Sequence, residues 1–268
     1  MKRQHYMDLI KGIAIYMVVM GHILTMCIRD IDAATLFKII GETHMPLFFF
    51  ISGWFAYKTT ADGRIRRPDL HQRAMQLLVP MVIVSSIWVL YFPTSGLQSP
   101  LPQGFDGLWT SEYKNGYWFT PVLFVIMAMY TLLAPVILRI RRAALAAAAS
   151  IAVGFVIYVC IVHFLPIRYI YTTSILLVAQ FLPIFMLGAI ARQHQDAFLR
   201  LTANPRAVTV ALLAAIPLFS IIAWPWSFDA LDGIPVIVPA ARMLYQAALV
   251  IVVMNIAVPW SDKAYSPE

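Results

Sequence analysis

The residues best suited to chemistry lie in one apolar stretch near the start of the chain, DLIKGIAIYMVVMGH, which contains Asp8, Lys11 and His22. Because Asp8 and Lys11 are three residues apart, a helix places them on one face, where they can form an ion pair. His22 follows Lys11 by eleven residues, so a helix returns it to nearly the same face about 16 Å further along the axis. The spacing predicts a cation near one end of a helix and an imidazole, a candidate general base, deeper in the same stripe.

Each of these residues also has a simpler explanation. His22 is explained equally well if it only forms a hydrogen bond to a neighbouring helix. Lys11 is explained if its ammonium only reaches back to the membrane surface. A second apolar stretch, GETHMPLFFFISGW, begins with Glu42 and His44. These two residues suggest a further acid–base pair beside His22, although polar residues at the mouth of a helix are often only surface groups.

A dense basic segment, RIRRPDLHQR, follows the second apolar stretch. Guanidinium groups make bidentate hydrogen bonds to phosphate, so the segment is a candidate binding site for the phosphates of a cytosolic donor molecule. Anchoring at the inner membrane surface, or contact with anionic lipids, explains the same charges without a ligand. The four arginines of this basic segment are Arg64, Arg66, Arg67 and Arg73.

The elements that must hold these residues are apolar blocks of about 20 residues, the length of helix that crosses a hydrocarbon core of about 30 Å. Hydrophobic residues make up 61% of the chain and charged residues 12%, against roughly 25% charged in a soluble domain. Backbone groups in lipid must be bonded internally, and the blocks lack the alternation of barrel strands. We therefore expect one all-α domain over residues 1–268, a polytopic transmembrane helical bundle. The eight predicted spans are 8–28, 44–58, 74–92, 117–138, 143–162, 170–190, 207–224 and 238–258.

Lysine and arginine residues collect in alternate loops, which predicts the orientation of the bundle. Loops kept in the cytoplasm are rich in Lys and Arg, so both termini and the basic segment are expected there. Arg242 is an exception, because it lies inside the eighth predicted span. The formal charge of +7 is thus a topology signal, and no separate basic patch favours nucleic-acid binding. No P-loop, GxGxxG, GxSxG or HExxH motif is present, and the two cysteines provide no metal-binding spacing.

Four motifs match the pattern of a known family. The first is a basic residue, ten residues and then a histidine, here Lys11 and His22, where the family more often has arginine at the basic position. The others are HMPLFFFISGW at 44–54, the basic segment that ends at Arg73, and YWFTPVLF at 117–124. On these motifs the chain resembles the acyltransferase 3 family of bacterial inner-membrane O-acyltransferases, near the fucose and polysaccharide O-acetylases.

The resemblance implies transfer of an acetyl group from cytosolic acetyl-CoA to a hydroxyl of a cell-envelope glycan, in the bacterial inner membrane. It implies no permanently bound cofactor and no metal, with acetyl-CoA as a substrate. His22 is then expected to act as general base, or as a transient acyl carrier; the sequence leaves both open. Lys11 would orient the donor or stabilise charge on the thioester oxygen, Glu42 or His44 would position the acceptor hydroxyl, and the arginines would bind the donor phosphates.

Family members usually continue into further spanning helices after the eighth predicted span, so the resemblance implies a member that is short at its C-terminus. Two alternatives to an active transferase therefore stay open. One is a transporter or exporter of a small acid or lipid-linked glycan, which would use the same charges inside the membrane as a binding relay. The other is an inactive, truncated member of the family. The sequence makes no prediction of the oligomeric state.

Overall fold

The structure, a computed structural model, describes residues 4–27, 35–91, 117–166, 169–170, 173–223 and 237–264. Within these ranges the chain forms nine α-helices, and its β structure is one isolated antiparallel bridge between Thr59 and Ile65. The predicted all-α class is confirmed. The helices are α1 (His5–Cys27), α2 (Thr35–Ala56), α3 (Leu70–Tyr91), α4 (Phe119–Ile137), α5 (Ala143–Phe164), α6 (Ile175–Gln193), α7 (Gln195–Ala203), α8 (Pro205–Ala223) and α9 (Ile237–Ala264).

Six of the described helices, α1, α4, α5, α6, α8 and α9, are long and apolar enough to cross a membrane, so this is a multi-pass membrane protein. Helices α2 and α3 coincide with the second and third predicted spans and contain 22 residues each. That length is sufficient to span, at about 1.5 Å per residue, although the charged residues Lys38 and Glu42 and the polar His44 interrupt the apolar sequence of α2. The count of eight spans therefore stays a prediction.

Several predicted boundaries differ from those of the structure. Helix α2 begins at Thr35, so the short span predicted from residue 44 extends toward the N-terminus, as expected, and by nine residues; the helix continues through Pro46. The short helix α7 occupies part of the predicted loop between the sixth and seventh spans. The ends of the predicted spans at residues 28, 92 and 224, and residues 171–172 within the sixth, lie outside the described residues.

Helix α6 is the centre of the bundle and packs against α2, α4, α5 and α9. It crosses α2 with almost no space between the two backbones. A side chain at Gly53 would collide with the carbonyl of Phe185, and one at Gly188 with the carbonyl of Phe50. Small residues at helix crossings permit this approach in membranes, where close van der Waals packing holds helices together. The pair of glycines therefore fixes the position of α2 against α6.

Aromatic side chains fill the space between α2, α4 and α6. Phe49 and Phe181 stack with their ring centroids 4.5 Å apart, and Trp118 stacks on Phe181 at 5.7 Å. Offset and edge contacts of this kind contribute about 0.5–1.5 kcal/mol per pair beyond the area they bury. The middle of α2 is thus held rigidly, which leaves its two ends to present polar residues.

A polar network joins the helix ends that are predicted to be cytoplasmic. Trp54, near the end of α2, donates to Gln4 at 2.8 Å, and Gln4 donates to Gln195 at the start of α7 at 3.3 Å. Asn255 on α9 donates to the carbonyl of Thr202 on α7 at 2.7 Å. The described parts of the chain nearest to both termini therefore lie at the same end of the bundle as α7, as the charge pattern predicts.

Candidate active site

Two groups of polar residues lie near opposite ends of α2. The first group, which we call the inner cluster, is built around Lys11 on α1. The ammonium of Lys11 lies 3.7 Å from the carboxylate of Asp8 and 4.3 Å from the centre of the Phe55 ring. Both side chains of the ion pair are 39% exposed, so the predicted pair forms and remains accessible. A cation over an aromatic face is attracted to the ring electrons, which holds the ammonium at the end of α2.

Lys11 and Arg73 line one cavity of about 320 Å³ between α1, α2, α3 and α4. The rest of its wall is mainly apolar, with Ser52 as a polar exception. The two cations therefore stand at an apolar chamber near the basic end of the bundle. The remaining lining residues are Ile15, Phe48, Ile51, Phe55, Ala56, Leu77, Leu123 and Met127.

A second cavity, of about 130 Å³, lies beside the first, toward the basic segment. The two cavities adjoin, because Phe55, Ala56, Arg73 and Met127 line both. The charged lining residues of the second cavity are Lys58, Arg66, Arg67, Asp69 and Arg73. Three of the four predicted phosphate-binding arginines therefore line this cavity, and Arg73 also lines the first cavity together with Lys11.

Arg64 does not line either of these two cavities. It lies in a tight turn in which the amide of Thr60 donates to its carbonyl at 2.8 Å, and Gly63 takes a φ of +73° that favours glycine. The amide of Arg66 donates to the carbonyl of Lys58 at 2.8 Å, which closes the hairpin. Of the basic residues in this segment, Arg66 and Arg67 line the second cavity and Arg64 does not, a distinction that a run of charges in sequence cannot reveal.

Asp69 and Arg73 are held by the start of α3. The carboxylate of Asp69 accepts a hydrogen bond from the amide of Gln72 at 3.1 Å, as an N-cap residue does. One turn later, Arg73 donates to Gln76 at 3.1 Å. The cap fixes where α3 begins, and with it the direction from which Arg73 enters the cavity.

The second group, the outer cluster, joins α2, α6 and α9. Arg242 makes two contacts with the carboxylate of Glu42, at 3.0 Å from Nε and 2.9 Å from a terminal nitrogen. Its other terminal nitrogen lies 3.5 Å from the amide oxygen of Gln180. Arg242 and Glu42 are 27% and 19% exposed, so the pair is largely shielded. A bidentate pair of this kind fixes both the position and the charge of the carboxylate.

His44 lies one helical turn after Ile40, and its Nδ1 is 2.5 Å from the Ile40 carbonyl oxygen. Because a carbonyl only accepts, this contact requires Nδ1–H as the donor, which leaves Nε2 as the basic nitrogen. His22 is close enough to act electrostatically on His44, and Gly21 faces Ile40 across the contact between α1 and α2. The two histidines are therefore neighbours, although His22 is exposed rather than enclosed.

The structure thus groups the predicted site residues into two sets. Lys11 lies with Arg66, Arg67 and Arg73, whereas His22 lies with His44, which follows Glu42 by two residues on α2 and therefore lies on a different side of that helix. On the unbroken helix α1, the eleven residues from Lys11 to His22 correspond to about 16 Å. No single small group contacts both sets at once.

The sequence reasoning did not assign Arg242 and Gln180 to the site. Arg242 had a signal, since a charge inside a predicted span usually faces a partner within the bundle. Gln180 had none, because one glutamine in an apolar helix carries no distinctive pattern. Among the described residues, no group of three His, Cys, Asp or Glu side chains is placed to hold a metal ion.

The fold and these clusters define a multi-pass helical membrane protein with a basic cavity near one end and a shielded polar cluster toward the other. The sequence profile of the acyltransferase 3 family, described as an acyltransferase domain, matches residues 4–259, and the chain belongs to this family. The family resemblance of the four motifs is confirmed.

Two curated relatives are similar to part of the chain. The nodulation protein NolL of Sinorhizobium fredii (strain NBRC 101917 / NGR234) is 35% identical over 134 residues, which cover 47% of this chain and 34% of the relative. NolL of Mesorhizobium japonicum (strain LMG 29417 / CECT 9101 / MAFF 303099) is 37% identical over 131 residues, 44% of this chain and 32% of the relative. The match thus spans about a third of the length of these relatives. No solved structure matches the chain.

Proposed function

We propose that the protein is an O-acyltransferase of the bacterial inner membrane that transfers an acetyl group from cytosolic acetyl-CoA to a hydroxyl of a cell-envelope glycan. The observation that carries the proposal is the pair of adjoining cavities, the first lined by Lys11 and Arg73 and the second by Arg66, Arg67 and Arg73. Membership of the acyltransferase 3 family supports the reaction class.

The donor is expected to lie across the two adjoining cavities. Acetyl-CoA carries phosphates at one end and a thioester at the end of an uncharged arm. The phosphates match the guanidinium groups of Arg66, Arg67 and Arg73 beside Lys58, since arginine forms bidentate bonds to phosphate. The uncharged arm matches the apolar chamber, where the ammonium of Lys11 would orient the donor.

The acceptor chemistry is assigned to the two neighbouring histidines. A base removes the proton of the acceptor hydroxyl as its oxygen bonds to the acyl carbon; the carbon–sulfur bond breaks, and the CoA thiolate takes up a proton. His44 has its Nε2 available, and His22 is its neighbour. The carboxylate of Glu42, fixed by Arg242, would position the acceptor.

The distance between Lys11 and His22 restricts how these groups cooperate. At about 16 Å apart along α1, they cannot both contact one thioester. Whether His22 acts as a transient acyl carrier or as the base in a direct transfer, the acyl carbon must lie next to it. In both cases Lys11 contacts the donor further from its reacting end and serves to orient it.

Binding of acetyl-CoA to the purified full chain in detergent tests the donor site. Arg73→Ala should weaken binding by about tenfold, since a hydrogen bond to a charged group contributes about 1.5–3 kcal/mol and this site is partly open to water. The matched control is Arg64→Ala, which removes the same charge from the same segment but from outside both cavities.

Calorimetric titration of wild type and both variants provides the measurement. Equal weakening by the two substitutions would mean that only the net charge of the segment matters, as anionic-lipid anchoring predicts. Absence of acetyl-CoA binding by the wild-type protein would contradict the transferase and favour a transporter or an inactive family member.

A further inference from the structure

A third cavity, of about 410 Å³, lies between α2, α5, α6, α7 and α9. None of the described residues that line it also lines a cavity of the proposed donor site. Apart from His194, its described lining side chains are apolar. Its volume falls within the range of about 300–1,000 Å³ that is typical of pockets for small molecules. The proposed acyl transfer does not use this cavity, so it is a candidate site for a different ligand.

The cavity extends along the helix axes. On α5 its lining residues extend from Ala143 to Ile151, which corresponds to about 12 Å. Gln193, the last residue of α6, donates to the carbonyl of Leu138 at 2.8 Å, so the end of α6 lies beside the start of α5. At this end of the cavity, the lining residue Leu201 of α7 is 45% exposed. The cavity is therefore open at the α7 end of the bundle and continues inward from there.

The open end of the cavity, which we call its mouth, is basic. Arg142 is the N-cap of α5 and directly precedes the first lining residues of that helix. Arg139 and Arg141 lie in the same short connection, and all three arginines are exposed. On α7, the charges of Asp196 and Arg200 offset each other. The mouth therefore carries an excess of positive charge, which favours a ligand with a negatively charged head.

His194 is the polar residue of the cavity wall. It directly follows α6, at the mouth, and its Nε2 is buried with no hydrogen-bond partner among the described residues. Native proteins rarely leave a buried polar atom unpaired, because the hydrogen bond lost to water is then not replaced. A purely apolar occupant, such as the side of another spanning helix, would leave this nitrogen without a partner and make no use of the positive charge. A phospholipid has phosphate and ester oxygens directly above its acyl chains, which matches the order of groups along the cavity.

We infer that this cavity binds an anionic phospholipid, with an acyl chain along α5 and the phosphate beside Arg142. The ester oxygens of the lipid lie near His194. Basic pockets between spanning helices are suited to anionic lipid headgroups. A neutral lipid can fill the apolar part of the cavity but gains less from the arginines, so the charge selects the anionic lipid. The inference goes beyond acyl transfer and does not depend on it.

Native mass spectrometry of the full chain in detergent, after removal of co-purified lipid, tests the site. The probes are phosphatidylglycerol and phosphatidylcholine with the same acyl chains. We expect phosphatidylglycerol to bind at least about fivefold more tightly, the factor that one cation contributes near an anionic headgroup. Ala147→Phe places a ring in the cavity and should weaken the binding of phosphatidylglycerol by about tenfold. The matched control is Ala148→Phe, because Ala148 is exposed and does not line the cavity.

The contribution of charge is tested separately from that of space. Arg142→Gln should weaken the binding of phosphatidylglycerol by about fivefold and leave that of phosphatidylcholine unchanged. Arg64→Gln removes an exposed cation from the basic segment, outside this cavity, and should change neither affinity. Equal loss of phosphatidylglycerol binding in the two variants would contradict a phosphate position at Arg142.

Melting temperatures show whether the variants fold and whether the lipid binds the folded protein. Phosphatidylglycerol should raise the melting temperature of the wild type and of Ala148→Phe more than that of Ala147→Phe, because a ligand of the folded state stabilises it. If Ala147→Phe does not fold, Ala144→Phe at the exposed mouth is expected to give the same loss of lipid binding.

Two results would overturn the inference. Equal affinity of the wild type for the two lipids, together with no effect of Ala147→Phe, would mean that lipid binds only as part of the shell around the bundle. Absence of binding of both lipids by the wild type would mean that another occupant, such as a further spanning helix, covers the cavity.

Discussion

At the scale of single residues, the hydrogen bond from His44 to the Ile40 carbonyl determines which nitrogen can act as a base. Nδ1 is used as a donor, so Nε2 keeps its lone pair. His22 makes no comparable hydrogen bond among the contacts that the structure describes, but it lies close enough to His44 to act on it electrostatically. The two imidazoles therefore differ in freedom: His44 is oriented by its own helix, whereas His22 can turn toward a substrate.

Replacing His22 by alanine tests its proposed role. We expect acetyl transfer to fall by at least about a hundredfold, the usual contribution of a positioned general base, while acetyl-CoA binding stays unchanged. The reason is distance, because the donor cavity lies about 16 Å away along α1. Transfer of radiolabelled acetyl groups to envelope glycan measures the first quantity, and donor titration measures the second. Normal transfer by a correctly inserted His22→Ala protein would exclude His22 as base and as carrier.

Residue spacing predicts which site residues of one helix share a face, but it does not predict which residues of different helices contact each other. The relation of Lys11 to Asp8 and His22 follows from helical periodicity within one element. The pairing of Glu42 with Arg242 joins positions 200 residues apart, and nothing in either local sequence identifies the other. Arg64 and Arg66 look equivalent in sequence, but only Arg66 lines the second cavity.

At the scale of elements, the crossing of α2 and α6 depends on two glycines. A Cβ atom on Gly188 would overlap the carbonyl of Phe50 and crowd the amide of Trp54. These are backbone atoms, which cannot move without shifting α2, and α2 holds residues of both clusters. The sequence could place an apolar helix at each position, but it could not reveal which faces of the helices meet.

Gly188→Ala is therefore expected to lower stability by about 1–3 kcal/mol or more, as overpacking of a close contact does. The matched control is Gly12→Ala on α1, where a Cβ atom meets nothing within 4 Å. Alanine at that helical position should be neutral or stabilising by about 0.5–1 kcal/mol. Melting temperatures of the two variants in the same detergent provide the comparison. Equal melting temperatures would show that the two backbones do not approach as described.

At the scale of the whole molecule, the fold class was predictable because composition restricts it strongly. Apolar blocks of spanning length leave helices as the solution that satisfies the backbone in lipid. The boundaries were less predictable where polar residues enter a helix, as in α2, or where a short amphipathic helix such as α7 interrupts a loop. Tertiary contacts, rather than hydropathy, fix those boundaries.

Orientation is the remaining property of the whole molecule, and two positions of the chain test it. In a background with Cys27→Ser and Cys160→Ser, Asp62→Cys places a thiol in the exposed basic hairpin between α2 and α3. Leu165→Cys places one at the exposed far end of α5. A membrane-impermeant maleimide applied to intact spheroplasts should label the second position and not the first, because basic loops stay in the cytoplasm. Lysis should then expose Asp62→Cys to the reagent.

The outcome of this labelling shows on which side of the membrane each of the two clusters lies. With the basic hairpin inside, the cavity of Lys11 and Arg73 opens toward the cytoplasm, as the proposed acetyl-CoA donor requires, and the outer cluster of Glu42 and Arg242 lies in the opposite half of the membrane. The reverse labelling pattern would turn the basic cavity away from the cytosol, where the donor is made. The phosphate-binding role of the arginines would then be untenable, and the same residues would have to serve a ligand from outside the cell.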